Sequence, residues 1–160
     1  MKTFFTFFVF LLFSLNIMAQ DAIIYHVVPP AYESTPGNAT FLSQFSTTAR
    51  TYQLLTHDSL LVPLLNKQIL AVSWRLPTSA TTNWPASDIT INNYDFYLGL
   101  GVEPSAMLNT NFSSNFVGPK KQVRAGSLTI PTDSYTFGNS PNNWGPEMMF
   151  IFDSVWVYNE

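Results

Sequence analysis

The sequence predicts an all-β protein, an antiparallel β-sandwich of jelly-roll type. Three observations predict it. First, 11 Pro and 7 Gly are spread through a chain of 160 residues, so few helix-length windows escape a breaker. Second, apolar residues alternate with period two rather than 3.6. Third, the intervening segments carry turn residues. Crossover helices for a parallel sheet are missing, which excludes a parallel α/β architecture.

The elements follow in order. Ala22–Val28 and Arg50–Thr56 are strand candidates. Residues 60–70 are ambiguous: the apolar content allows a short helix, but Pro63 favours a loop followed by a strand. Leu70, Val72, Trp74 and Leu76 then share one face, with Ala71, Ser73 and Arg75 on the other. Ile89 and Ile91 alternate with Asp88, Thr90 and Asn92. Tyr94, Phe96, Leu98 and Leu100 oppose Asp95, Tyr97 and Gly99. Pro104 to Leu108 has room for one helical turn, with Pro in the first turn. Gln122–Ile130 is a further strand candidate. Met148, Phe150 and Phe152 alternate with Glu147, Met149 and Ile151, and Val155–Tyr158 closes the series. The turns are Pro36-Gly37-Asn38, the stretch from Pro77 to Pro85, Asn92-Asn93, Gly118-Pro119, and the stretch from Gly138 to Pro146. About seven or eight short strands with polar turns suit a sandwich.

Residues 1–20 read as a secretory signal. Lys2 gives a positive start, Phe4 to Leu15 is almost wholly apolar, and Ala19-Gln20 marks the expected cleavage point. The apolar run is short for a bilayer span of about 20 residues. Residues 21–160 are then a single domain, secreted or displayed on the outer cell surface, with no further long apolar run to cross a membrane. With no Cys there is no disulfide framework and no thiolate chemistry. Seven Lys+Arg against 10 Asp+Glu give a formal net charge of −3, which excludes binding to nucleic acid by phosphate neutralisation. Charged residues are only 11% and aromatics 16%, a composition unlike that of disordered chains.

Several short segments, in order, resemble an uncharacterised group of bacterial secreted proteins. Ser34-Thr35-Pro36-Gly37-Asn38 resembles a T-x-G-N turn, and Arg50-Thr51-Tyr52-Gln53 resembles an R-Y-Q strand with one residue inserted. Ile69 to Arg75 resembles an I-x-x-I-x-F-R strand with Trp74 in place of Phe, and Asp95 to Leu100 matches the next strand loosely. Phe112-Ser113-Ser114-Asn115 resembles F-x-x-N, and Ala125-Gly126-Ser127-Leu128 resembles S-G-x-L. The Phe-rich leader resembles those of Bacteroidetes secreted proteins. The group carries an N-terminal β-sandwich and often a sorting signal of type IX secretion or PEP-CTERM type. The resemblance implies an N-terminal module with a further strand and C-terminal chain beyond Glu160, and it supplies no catalytic residues. A complete small domain is the alternative.

Candidate chemistry is sparse. Glycosidic hydrolysis needs two carboxyls about 5–10 Å apart across a cleft. Asp88, Asp95, Glu103 and Asp133 fall in turns and loops with no spacing that fixes such a pair. His26 lies in an apolar strand and His57 in a turn before Asp58; two His without Cys make no closed zinc site unaided. No G-x-S-x-G elbow, dinucleotide fingerprint or phosphate loop is present. Asp88, Asn92, Asn93 and Asp95 are a weak Ca2+ candidate, Asp88 and Asp95 being the charged members, and no cofactor is otherwise expected. Lys120, Lys121 and Arg124 make a small basic spot. Asn38-Ala39-Thr40 and Asn111-Phe112-Ser113 are N-glycosylation sequons, while Asp58-Ser59-Leu60 and Asp153-Ser154-Val155 resemble a Bacteroidetes O-glycosylation acceptor.

The aromatic loops are the strongest ligand candidates. Trp84 follows Asn83, and Trp144 follows Asn143, each in a breaker-rich segment outside the alternating strands. An aromatic face stacks on the C–H face of a sugar while Asn bonds its hydroxyls. The alternative is that each Trp folds back to cap the sandwich. The expectation is thus a non-catalytic extracellular module for adhesion or for binding a glycan or a cell-surface protein. A carbohydrate-active hydrolase with an Asp/Glu pair and a structural spacer module are the rivals.

Overall fold

The computed structural model describes residues 23–36, 48–108, 110–138 and 150–159. Strands prevail among the regular elements of these residues, and the only helical pieces among them are 3₁₀ turns of three or four residues. The strands are β1 (Gln68–Val72), β2 (Ile89–Ile91), β3 (Phe96–Leu98), β4 (Lys121–Arg124), β5 (Leu128–Ile130) and β6 (Phe150–Val157). They form three antiparallel two-stranded sheets, β1 with β6, β2 with β5 and β3 with β4. These pairings close no barrel. No helix among the described residues is long and apolar enough to cross a membrane.

Alternation explains β6 best. Phe150, Phe152 and Tyr158 are buried, Ser154 and Trp156 are half-buried, and Ile151, Asp153, Val155 and Val157 are exposed. The two predicted strands at this end are therefore one continuous strand. β6 also lies along β4: Lys121 Nζ donates to the Val155 carbonyl at 2.7 Å, and the Ala125 N–H donates to Asp153 Oδ2 at 2.8 Å.

The core sits where the sheets converge. Leu128, Ile130, Tyr135 and Phe150 form its centre, with Val72, Trp74, Leu76, Trp84, Ile91 and Tyr94 packed around them. The rings interlock in preferred geometries: Trp74 meets Phe150 edge-on at 4.9 Å, and Tyr94 stacks on Phe150 at 5.4 Å. Phe96 and Phe152 extend the layer at 5.4 Å.

Four expectations change. Gln122–Ile130 is two strands, because Gly126 at φ +88° turns the chain between β4 and β5. Leu70 does not share the inward face of Val72 and Trp74: a register irregularity between Ile69 and Ala71 shifts the phase and leaves it exposed. Residues 23–28 and 50–56 are not strands; propensity alone gives them no ladder partner. Residues 60–70 are neither a helix nor a plain loop. Two 3₁₀ turns, Asp58–Leu60 and Val62–Leu64, lead into β1, and Asn66 adopts φ +59° between them and the strand. The helical turn expected after Glu103 is present as the 3₁₀ turn Pro104–Ala106.

Candidate functional site

The loop aromatic Trp84 joins the core. Its backbone exchanges two hydrogen bonds with Tyr135, each 2.9 Å, and its indole lies 5.9 Å from the Tyr135 ring. The ring is half-buried, whereas a stacking platform for sugar needs an open face. Asn83 Oδ1 accepts from the Phe137 N–H at 3.3 Å, tying the two loops together. Asn143 and Trp144 lie outside the described residues. Burial pushes the Tyr135 phenol far above its ordinary range, with the neighbouring Tyr94 adding to the shift. Burial also raises Tyr94, partly offset by the Arg124 charge beside it.

The acidic candidates serve separate loops. Asp88 Oδ1 accepts from the Thr132 N–H at 2.8 Å and from its hydroxyl at 2.9 Å. These bonds, the backbone one first, hold the carboxyl below its usual range. Asp95 Oδ1 faces the Gly126 N–H at 3.4 Å. Among the described residues no three His, Asp or Glu side chains are grouped to hold a metal ion. The basic spot is also engaged locally. Arg124 donates to the carbonyls of Tyr94 and Ser127, and the Lys120 ammonium sits 4.5 Å from the Tyr97 ring centre. His26 Nε2 lies 3.3 Å from the Leu60 carbonyl, a structural bond if that nitrogen carries the proton.

A second polar cluster was not singled out by the sequence. Asn115, 1% exposed, receives the Leu108 N–H at 2.7 Å, and its amide donates to the Leu108 carbonyl at 2.9 Å and to Gln53 Oε1 at 2.7 Å. Gln53 in turn donates to the Phe112 carbonyl at 3.2 Å. Asn115 is thereby a clamp that joins segment 50–56, through Gln53, to the loop at Leu108. The F-x-x-N pattern was the available signal, because it marks the residue without revealing its partners.

Beside this clamp lies the arrangement richest in chemical groups. His57 caps the turn Asp58–Leu60, its Nδ1 facing the Ser59 N–H at 3.2 Å and the Ser59 hydroxyl at 2.9 Å. Nδ1 is also 2.8 Å from Asp58 Oδ1, and Nε2 is 3.4 Å from Glu103 Oε2. The two carboxylates flank opposite ring nitrogens, so His57, Asp58 and Glu103 do not converge on one point. The order Ser59, His57, Glu103 has the outline of nucleophile, base and orienting acid. The nearby Leu60 and Leu61 N–H groups donate to the His57 and Asp58 carbonyls, and the charged side chains are more than half exposed. The cluster is a capped, acidic turn.

An open cleft of about 390 Å3 adjoins it, lined by Asp58, Ser59, Val62, Leu65 and Tyr158. The backbone fixes its back wall: the Asn66 N–H donates to the Tyr158 carbonyl at 2.6 Å, and the Tyr158 N–H donates to the Lys67 carbonyl at 3.2 Å. Sequence gave no signal for this cleft, since Tyr158 is brought to Asp58 only by the pairing of β6 with β1. No protein-family model, curated protein or solved structure matches the chain.

Proposed function

We propose that the protein is a secreted, non-catalytic module of the cell surface or extracellular space that adheres to another protein. Its short antiparallel sheets are read as the layers of a β-sandwich. The observation that carries the adhesion reading is the exposed apolar side of β6, with Leu70 of the paired β1 exposed as well. Ile151 is 65% exposed, Leu70 and Val157 41%, and Val155 40%, all on two paired strands. Exposed apolar side chains grouped together mark an interaction surface more often than scattered ones do. The location rests on the leader at residues 1–20 and on the shared motif order with bacterial secreted β-sandwich proteins. The half-buried setting of Trp84 favours a protein over a glycan as partner.

Beads coated with the chain lacking residues 1–20 test this against immobilised extracellular proteins and immobilised glycans. Retention on protein coatings, lost in the Ile151→Lys/Val155→Lys double variant, is the expected result. Retention on glycans alone would overturn the protein partner, and no retention would overturn adhesion.

A further inference from the structure

We propose that the cleft beside Asp58 seats a cationic side chain, of lysine or arginine type, presented by a partner protein. The inference goes beyond the sheet face and does not depend on it.

Two features choose the occupant. The first is charge. Asp58 Oδ1 is occupied by the Ser59 N–H and by His57, while Oδ2 makes no hydrogen bond or ion pair among the described residues. Among the described residues the Glu103 carboxylate is approached by His57 Nε2, at 3.4 Å, and no Lys or Arg pairs with either carboxylate. The whole chain is also net negative, at −3. An anion is therefore repelled here, and a wholly apolar group covering the cleft would strip water from Asp58 without replacing its hydrogen bonds.

The second feature is the apolar wall. Val62 and Leu65 are exposed, and Tyr158, itself only 4% exposed, backs the cleft. A long cationic side chain matches both features, laying its methylenes along Val62, Leu65 and Tyr158 and its head against Asp58 and the Ser59 hydroxyl. A space of about 390 Å3 accommodates one such side chain. Asp58 Oδ1 keeps its bond from the Ser59 N–H while Oδ2 receives the ligand's N–H.

The test uses N-acetyl-arginine amide as cation and N-acetyl-norleucine amide as its neutral counterpart, added to the 15N-labelled chain. The arginine amide should shift the amide signals of Ser59, Val62, Leu65 and Tyr158 with a dissociation constant of about 1 mM. Affinity should fall about tenfold in Asp58→Asn and decline with added salt. Val62→Lys, at a position open to solvent, should abolish the response by supplying the cation internally, and it decides the matter if Asp58→Asn fails to fold. An equal response to the norleucine amide would overturn the proposal, as would unchanged affinity in both variants or no shift at all. Because β1 and β6 are untouched by these variants, bead retention through Ile151 and Val155 remains a separate outcome.

Discussion

Two regions of the molecule are held together by different forces. Around Phe150 of β6, rings from the segments flanking β1, β3 and β5 bury one another, and the attraction is non-directional and scales with area. Around Asn115, segments that form no extended ladder are joined by a single β-bridge and a handful of directed side-chain hydrogen bonds. The second depends on each bond, because a buried polar group left unpaired loses its hydration without replacement. The difference teaches that this chain uses polar side chains where it runs short of sheet.

The largest effect is expected in the first region. Phe150→Ala removes the ring on which Trp74 and Tyr94 pack and should cost about 3–5 kcal/mol in denaturant unfolding. A loss below about 1 kcal/mol would show that the aromatic centre is not the main source of stability. The same region should respond to alkali. Tyr135 and Tyr94 ionise less readily when folded than when unfolded, so stability is intact below the ordinary Tyr range near pH 10 and falls as pH rises beyond it. Thermal melts at increasing pH check this, and Tyr135→Phe should flatten the decline.

Asn115→Ala comes next, at about 1–3 kcal/mol, since it strands the Leu108 backbone and the Gln53 amide. Hydrogen exchange sharpens the comparison: the Leu108 amide should lose protection while β2 and β5 keep theirs. Equal loss everywhere would mean the two regions unfold as one unit. The smallest effect belongs to Asp88→Asn on the exposed rim. The folded pKa of Asp88 is lowered, so its contribution is present above the ordinary Asp range and disappears as pH falls through the folded value. Wild type and variant should therefore differ slightly at neutral pH and converge in acid.

Legibility follows the same division. Phe150, Phe152, Ile89, Ile91, Tyr94 and Phe96 face inward as their period-two spacing predicts, because a strand's side-chain period is fixed by its backbone. Leu70 departs from the pattern, since an irregular ladder depends on the partner strand and leaves no local mark. Trp84 reads as a loop aromatic in sequence, and only its bridge to Tyr135 reveals that it turns inward. The cleft was illegible for a similar reason. Asp58, Leu65 and Tyr158 share no motif and meet only when the β6 end is hooked onto Asn66 and Lys67.

By itself, the amino-acid order determined the strand-rich character, the absence of long helices among the described residues, and which side of most strands turns inward. Breakers and alternation act within a few residues, so no distant partner is needed to read them. The tertiary structure alone decided which strands pair, where Asn115 finds its acceptors and donors, and how an acidic turn comes to border an apolar cleft. Those outcomes require contacts between segments far apart in the chain, and their energies exist only once the segments have met.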